Sequence, residues 1–360
     1  MAYVQDITKV DGNFCAAGYE DLDLEFFDAT QSPFEISGLP FFQKDKKFCR
    51  IPLEYLERVS EGVKILAWHT SGVQIRFSSN ASQIGLSAEL RELSEMSHMP
   101  LSGNSGFDLY LGAGKDKKFV KSLRPSFHQG SINQLAVNDQ CNDMRQWTLY
   151  LPLYNGVNSV KIGVNKGASI EAPAEFTIKK PILFYGHSIT QGGCASRPGN
   201  SYTSQVCRWL DADMVNLGFS GSALGELDIA EVITKIDASV FVMDYDHNAP
   251  TVEHLSGTHE NMFRFIRGKR PDLPVVFVTR TDYDRDRREG DLRKLVISRT
   301  YRVAKDNGDP RVWLVDGQTL LGSEDRDACT VDGCHPNDLG FYRISKGIYP
   351  YIKTAVQFTN

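Results

Sequence analysis

The chain has 360 residues, with 40 Lys plus Arg against 45 Asp plus Glu and a formal charge of −5. That length accommodates two domains with cores of their own, and 41% hydrophobic with 24% charged residues excludes a disordered or fibrous chain. No basic excess is available for a phosphate backbone, no run of about 18 apolar residues occurs, and no charged leader precedes an apolar stretch at the start, so neither nucleic acid nor membrane is expected as a partner and the expected location is cytoplasmic.

From about Lys47 to Ile178 apolar and polar residues alternate, the period of strands in an antiparallel sheet. Val73, Ile75 and Phe77 take one face and Gln74 and Arg76 the other; Phe107, Leu109 and Leu111 alternate with Asp108 and Tyr110. Trp147, Leu149 and Leu151, then Val160, Ile162 and Val164, repeat the pattern. Turn-forming stretches such as Asn155-Gly156 separate the runs. Many short strands without a long helical spacer predict a β-sandwich of jelly-roll type over residues 1–178.

Ala172-Pro173-Ala174 and Pro181 punctuate the boundary, and the pattern changes beyond it. Short apolar runs follow at 182–185, 214–217, 240–243, 275–278 and 312–315, apolar on both faces as buried parallel strands are. Between them lie helical stripes, one of Tyr202, Val206, Trp209 and Leu210, another of Leu292, Leu295, Val296 and Val303. Residues 179–360 are therefore predicted to form a three-layer, flavodoxin-like α/β domain on a parallel five-stranded sheet.

Open parallel sheets bind ligands at the carboxyl ends of their strands, and those ends carry the chemistry here. The first runs into Tyr185-Gly-His-Ser188, the second ends at Asn216-Leu-Gly218, the third at Asp244-Tyr-Asp-His-Asn248, and Asp332-Gly-Cys-His335 follows the fifth. A serine hydroxyl attacks only when a base takes its proton and a third group holds that base in the right tautomer. Ser188, His335 and Asp332 supply those parts. The N–H groups of Ser188 and Gly218 and the Asn248 amide are candidate donors to an oxyanion. Each piece alone has an ordinary reading: a turn for Ser188, a surface loop for Asp332 and His335, a helix cap for Asn248.

In this order the blocks resemble those of the SGNH hydrolases, the GDSL esterase/lipase family, with Gly186-His-Ser-Ile189 in place of Gly-Asp-Ser-Leu and Asp332-x-x-His335 matching the last block. The string Ser188-Ile-Thr-Gln-Gly-Gly-Cys-Ala-Ser-Arg-Pro-Gly-Asn-Ser-Tyr202 resembles a two-domain branch with an N-terminal β-sandwich. The resemblance implies an esterase or deacylase acting through an acyl-enzyme on Ser188, with small acyl groups, acetyl among them, on a carbohydrate or other polar alcohol. His187 replaces the usual aspartate, and Asp246 stands where a glycine is usual, so pocket shape and charge do not transfer. The rivals are an acyltransferase using the same acyl-enzyme and a non-catalytic carbohydrate-binding protein.

His187, Arg197, His247 and Arg280 are further candidates for substrate contact. No cofactor and no metal are expected, since Asp244 and Asp246 have no second ligand cluster in sequence. The loop from Met96 to Gly103 is expected to pack between the halves or to wall the pocket, and Trp68 and Trp147 to fill the core. Seven cysteines without a CxxC pair read as reduced thiols, a Cys329–Cys334 disulfide being the minor reading. Association of identical copies is left open.

Overall fold

A computed structural model describes residues 7–358 of the chain. The first half contributes β1 (Leu24–Asp28), β2 (Glu35–Ser37), β3 (Gln74–Ser79), β4 (Gln83–Leu90) and β5 (Phe107–Leu111). It continues with β6 (Lys118–Leu123), β7 (Ser131–Asn138), β8 (Arg145–Tyr150), β9 (Val157–Asn165) and β10 (Ile170–Glu171). These pair antiparallel in two sheets, of order β1-β9-β4-β7 and β10-β3-β8-β5-β6, with β2 beside β3. Ile75, Phe77, Trp147 and Leu149 of one sheet meet Ile84, Leu86, Val160 and Ile162 of the other in a single core. This is a β-sandwich.

The alternating pattern predicts a solvated outer face for the second sheet, and the structure differs. Gln74, Arg76, Asp108 and Tyr110 are all buried, because the other half of the chain covers that face. Asp108 accepts from Arg197 Nη1 and the Gly199 N–H of that half, and Tyr110 and Tyr150 join the α/β core, while Arg76 is covered within its own half by the Phe176 ring, 3.6 Å from its guanidinium, and donates to Glu35.

The second half builds a parallel sheet of order β12-β11-β13-β14-β15 from β11 (Ile178–Gly186), β12 (Ala212–Gly218), β13 (Val240–Asp244), β14 (Val275–Val278) and β15 (Val312–Val315). Helices α1 (Ser188–Gln191), α2 (Tyr202–Leu210), α3 (Leu227–Thr234), α4 (Val252–Lys269), α5 (Arg287–Asp306) and α6 (Asp338–Val356) flank it. Ile182 and Phe184 face α2 and α6, whereas Leu183 and Tyr185 face α3, α4 and α5. Both faces of each strand are covered, which accounts for the unbroken apolar runs. No helix among the described residues is long and apolar enough to cross a membrane.

Helix α5 corrects the stripe read from the sequence. Leu292 and Leu295 are exposed, and Gly290, Arg293, Ile297, Thr300 and Ala304 are buried. The rotation is set by Arg293, whose guanidinium donates to the carbonyls of Asp246 and Ala249 at 2.7 and 2.8 Å. A buried cation with fixed partners outweighs two leucines left at the surface.

The halves interlock. Cys49, Ile51, Tyr55, Val63 and Ala67, which precede β3, pack into the core beneath α3 and α4. Arg50, fully buried, donates to the carbonyls of Asn216 and Gly218 at 2.8 Å each. The first half thus holds the end of β12, where candidate site residues begin.

Candidate active site

Strand β11 ends at Gly186 and the chain turns at once into α1, a single turn of helix with His187 as its cap. A Cβ on Gly186 would lie 2.2 Å from both the Asp244 carbonyl and Thr190 Oγ1, so only glycine permits this turn. The turn leaves Ser188 half-buried at the carboxyl rim of the sheet. Tyr154 of the first half steadies it by donating to the Ser188 carbonyl at 3.1 Å.

His335 arrives from a hairpin-like loop in which Thr330 bridges Pro336 and Val331 N–H donates to the His335 carbonyl. Asp332 organises that loop. One carboxylate oxygen accepts the N–H groups of Cys334 and His335 at 2.9 and 2.7 Å, and the other meets His335 Nδ1 at 2.7 Å. Burial opposes ionisation of Asp332, but the hydrogen bonds from the His335 ring and from these two amides outweigh it and push the carboxyl down to about 2. An ionised Asp332 accepts the Nδ1 proton and leaves Nε2 bare. Nε2 lies 2.9 Å from Ser188 Oγ. The three side chains, drawn from opposite ends of the second half, form one continuous hydrogen-bonded relay.

One of the three expected oxyanion donors is engaged elsewhere. Gly218 N–H donates to Asn216 Oδ1 at 2.8 Å, so it is not free for an oxyanion. Its lack of a side chain serves packing, since a Cβ there would lie 2.3 Å from Gln191 N. The next loop supplies an alternative. Gly221, at φ +66°, is exposed, and its N–H has no partner among the described residues. Asn248 is tied to this loop, donating one Nδ2 hydrogen to the Phe219 carbonyl at 2.9 Å and retaining the other. Ser188 N–H likewise has no partner among the described residues.

Each of the four further candidates is tied to partners within the protein. His187 is buried, with Nε2 3.1 Å from Asp244 and Nδ1 accepting the Ile189 N–H. Arg197 bridges the halves, donating to Asp108 and Tyr110 at 2.8 and 2.6 Å with its guanidinium over Phe119. Arg280 grips Asp282 through two hydrogen bonds of 2.5 and 2.8 Å. His247 is enclosed by His187, Asp282 and Cys334, and burial first, then His187, holds its imidazole neutral. Asp244, which also accepts from Thr190 and Tyr202, is a hub of the interior.

The Met96–Gly103 loop of the first half, expected to pack between the halves or to wall the pocket, brings His98 to the relay, its ring edge-on to His335, centre to centre 5.9 Å. The aperiodic sequence of the loop does not indicate that His98 is the residue that faces His335. All seven cysteines are free thiols.

Comparison with known proteins bears on this arrangement. Residues 179–353 match the model of the GDSL-like lipase/acylhydrolase family, and residues 24–170 match that of the N-terminus of Esterase_SGNH_hydro-type. A crystal structure from Bacteroides ovatus ATCC 8483, described as GDSL-like, superposes with a TM-score of 0.84 at 26% identity over 93% of this chain and 98% of that one. A salicylyl-acyltransferase from a tetracycline biosynthetic pathway gives 0.76 at 15% identity over 92% and 97%. A family two carbohydrate esterase from Cellvibrio japonicus gives 0.61 at 11% over 94% and 99%. No curated protein matches the sequence.

Proposed function

Because the chain belongs to the GDSL-like lipase/acylhydrolase family, we propose that it is a serine esterase that cleaves small acyl esters of a carbohydrate or another polar alcohol. The observation that carries the reading is the relay of 2.9 Å from Ser188 to His335 and 2.7 Å from His335 to Asp332. Ser188 Oγ attacks the ester carbonyl while His335 Nε2 takes its proton. Asp332 holds the ring in the tautomer with Nδ1 protonated and stabilises the imidazolium that forms. The carbonyl oxygen, now negative, takes hydrogen bonds from Ser188 N–H, Gly221 N–H and the free Asn248 Nδ2 hydrogen. His335 then returns its proton to the departing alcohol, leaving Ser188 acylated. A water, activated by the same Nε2, releases the acid.

Family two carbohydrate esterases and an acetyl xylan esterase from Butyrivibrio proteoclasticus share the fold, which supports an acylated sugar as the substrate class. The salicylyl-acyltransferase shares it too and supports the second reading, in which an alcohol rather than water accepts the acyl group. Turnover of a panel of acetylated sugars, with products analysed in the presence of added acceptor alcohols, separates the two. In the same assay Asn248→Ala is expected to lower kcat by ~10² to 10³ with little change in KM. A rise in KM at constant kcat would remove Asn248 from the oxyanion site.

A further inference from the structure

Beneath the proposed relay lies a second group of reactive side chains that the ester chemistry does not use. His247 Nδ1 is 3.9 Å from Cys334 Sγ and 3.5 Å from Asp282 Oδ1, and the ligating atoms of all three lie within 4.8 Å of one another. The residues come from three strand ends: His247 from the turn after β13, Asp282 from the loop after β14, and Cys334 from the loop beyond β15. We propose that His247, Asp282 and Cys334 form a binding site for a divalent transition metal of the zinc class.

With His247 Nδ1 3.9 Å from Cys334 Sγ and 3.5 Å from Asp282 Oδ1, and no pair of the three atoms more than 4.8 Å apart, small side-chain shifts bring all three to the ~2.0 to 2.3 Å of Zn–N, Zn–O and Zn–S bonds. The donor set, one imidazole, one carboxylate and one thiolate, is the set zinc prefers over magnesium or calcium. Arg280 supplies the outer support, orienting the Asp282 carboxylate through two hydrogen bonds. A cavity of about 610 Å³, lined in part by Thr281, Asp282, Asp332 and Gly333, borders the cluster on its Asp282 side.

Proton positions follow. Thr281 N–H points at His247 Nε2 at 3.4 Å, so in the metal-free chain the ring proton sits on Nδ1, inside the gap. Loading the metal moves that proton to Nε2, gives up this long contact, and releases the Cys334 thiol proton to solvent. The Asp282 carboxylate keeps its charge. His247 precedes Asn248 and Cys334 precedes His335, so the ion would tie together the two loops that carry a proposed oxyanion donor and the proposed base.

The full chain, reduced and freed of metal with a chelator, is titrated with Co²⁺ as the spectroscopic probe. One equivalent is expected to give a near-ultraviolet thiolate-to-cobalt band and the visible bands of a tetrahedral ion, both erased by Zn²⁺. Cys334→Ser and Cys334→Ala should lose the thiolate band, and His247→Ala should weaken binding at least tenfold. His98→Ala and Cys141→Ser, outside the cluster, should bind as the native chain does. Zn²⁺ should raise Tm in the native chain and not in Cys334→Ser, whose own melting transition reports that it is folded. Absence of the thiolate band in the native chain, its survival in Cys334→Ser, or its loss in His98→Ala would overturn the assignment.

Discussion

Gln191 accepts the Ser220 N–H on Oε1 at 3.0 Å, binding the single turn that begins with Ser188 to the loop that presents Gly221. Its Nε2 donates to His69 Nδ1 at 3.2 Å and to the Leu153 carbonyl at 3.1 Å, and His69 Nε2 meets Glu92 at 2.9 Å. The directions are fixed. The Glu92 carboxylate can only accept, so His69 carries its proton on Nε2 and offers Nδ1 to the amide. A chain of hydrogen bonds thus runs from the sandwich half to the loop beside Asn248.

Gln191→Leu removes the acceptor for Ser220 N–H and leaves that donor unpaired. The expected result is a fall in kcat of up to ~10² with KM little changed, since small misplacements at such a site cost on that order. Steady-state kinetics on an acetyl ester read the split. A variant with native kcat would show that the loop holds its shape without Gln191.

The acid side of the stability profile follows from Asp332. A free aspartate titrates near ~3.9, and Asp332 is held at about 2. Because the folded value lies below the unfolded one, its stabilising contribution is complete above about pH 4 and fades as the pH falls through 2. In Asp332→Asn the decline of Tm between these values should be shallower than in the native chain. Superimposable profiles would contradict this placement of the charge.

Arg197 has a structural task. It is paired at 2.8 Å with Asp108, whose side chain is wholly buried. Burial raises the Asp108 carboxyl, and Arg197 is the first of the groups that draw it back. Arg197→Ala leaves a carboxylate in the interface between the halves without its cation, at a cost of ~3 to 5 kcal/mol. Calorimetry should show a clear drop in Tm while KM of the folded enzyme stays put. A raised KM with Tm unchanged would restore Arg197 to the substrate.

The legible part of this molecule is what backbone periodicity controls. The five apolar runs locate the parallel strands, and the rule that loops at their carboxyl ends gather explains why Ser188, Asp332 and His335 meet. What periodicity cannot carry is which way a polar group turns. Gly218 loses its N–H to Asn216 Oδ1, a side-chain choice invisible in the pattern. Gln74 and Asp108 alternate as surface residues do, yet are buried because a second layer covers their sheet. Arg293 rotates α5 away from its leucines. His98 and the group of His247, Asp282 and Cys334 assemble only in three dimensions.

The proposed role of Ser188 is tested most directly by covalent capture. The full chain is treated with a fluorophosphonate and weighed intact by mass spectrometry, with the modified residue located by peptide mapping. One adduct on Ser188 is predicted, absent from a folded Ser188→Ala variant. An adduct that survives in Ser188→Ala, or a native chain that stays unlabelled, would contradict the assignment of Ser188 as the attacking group.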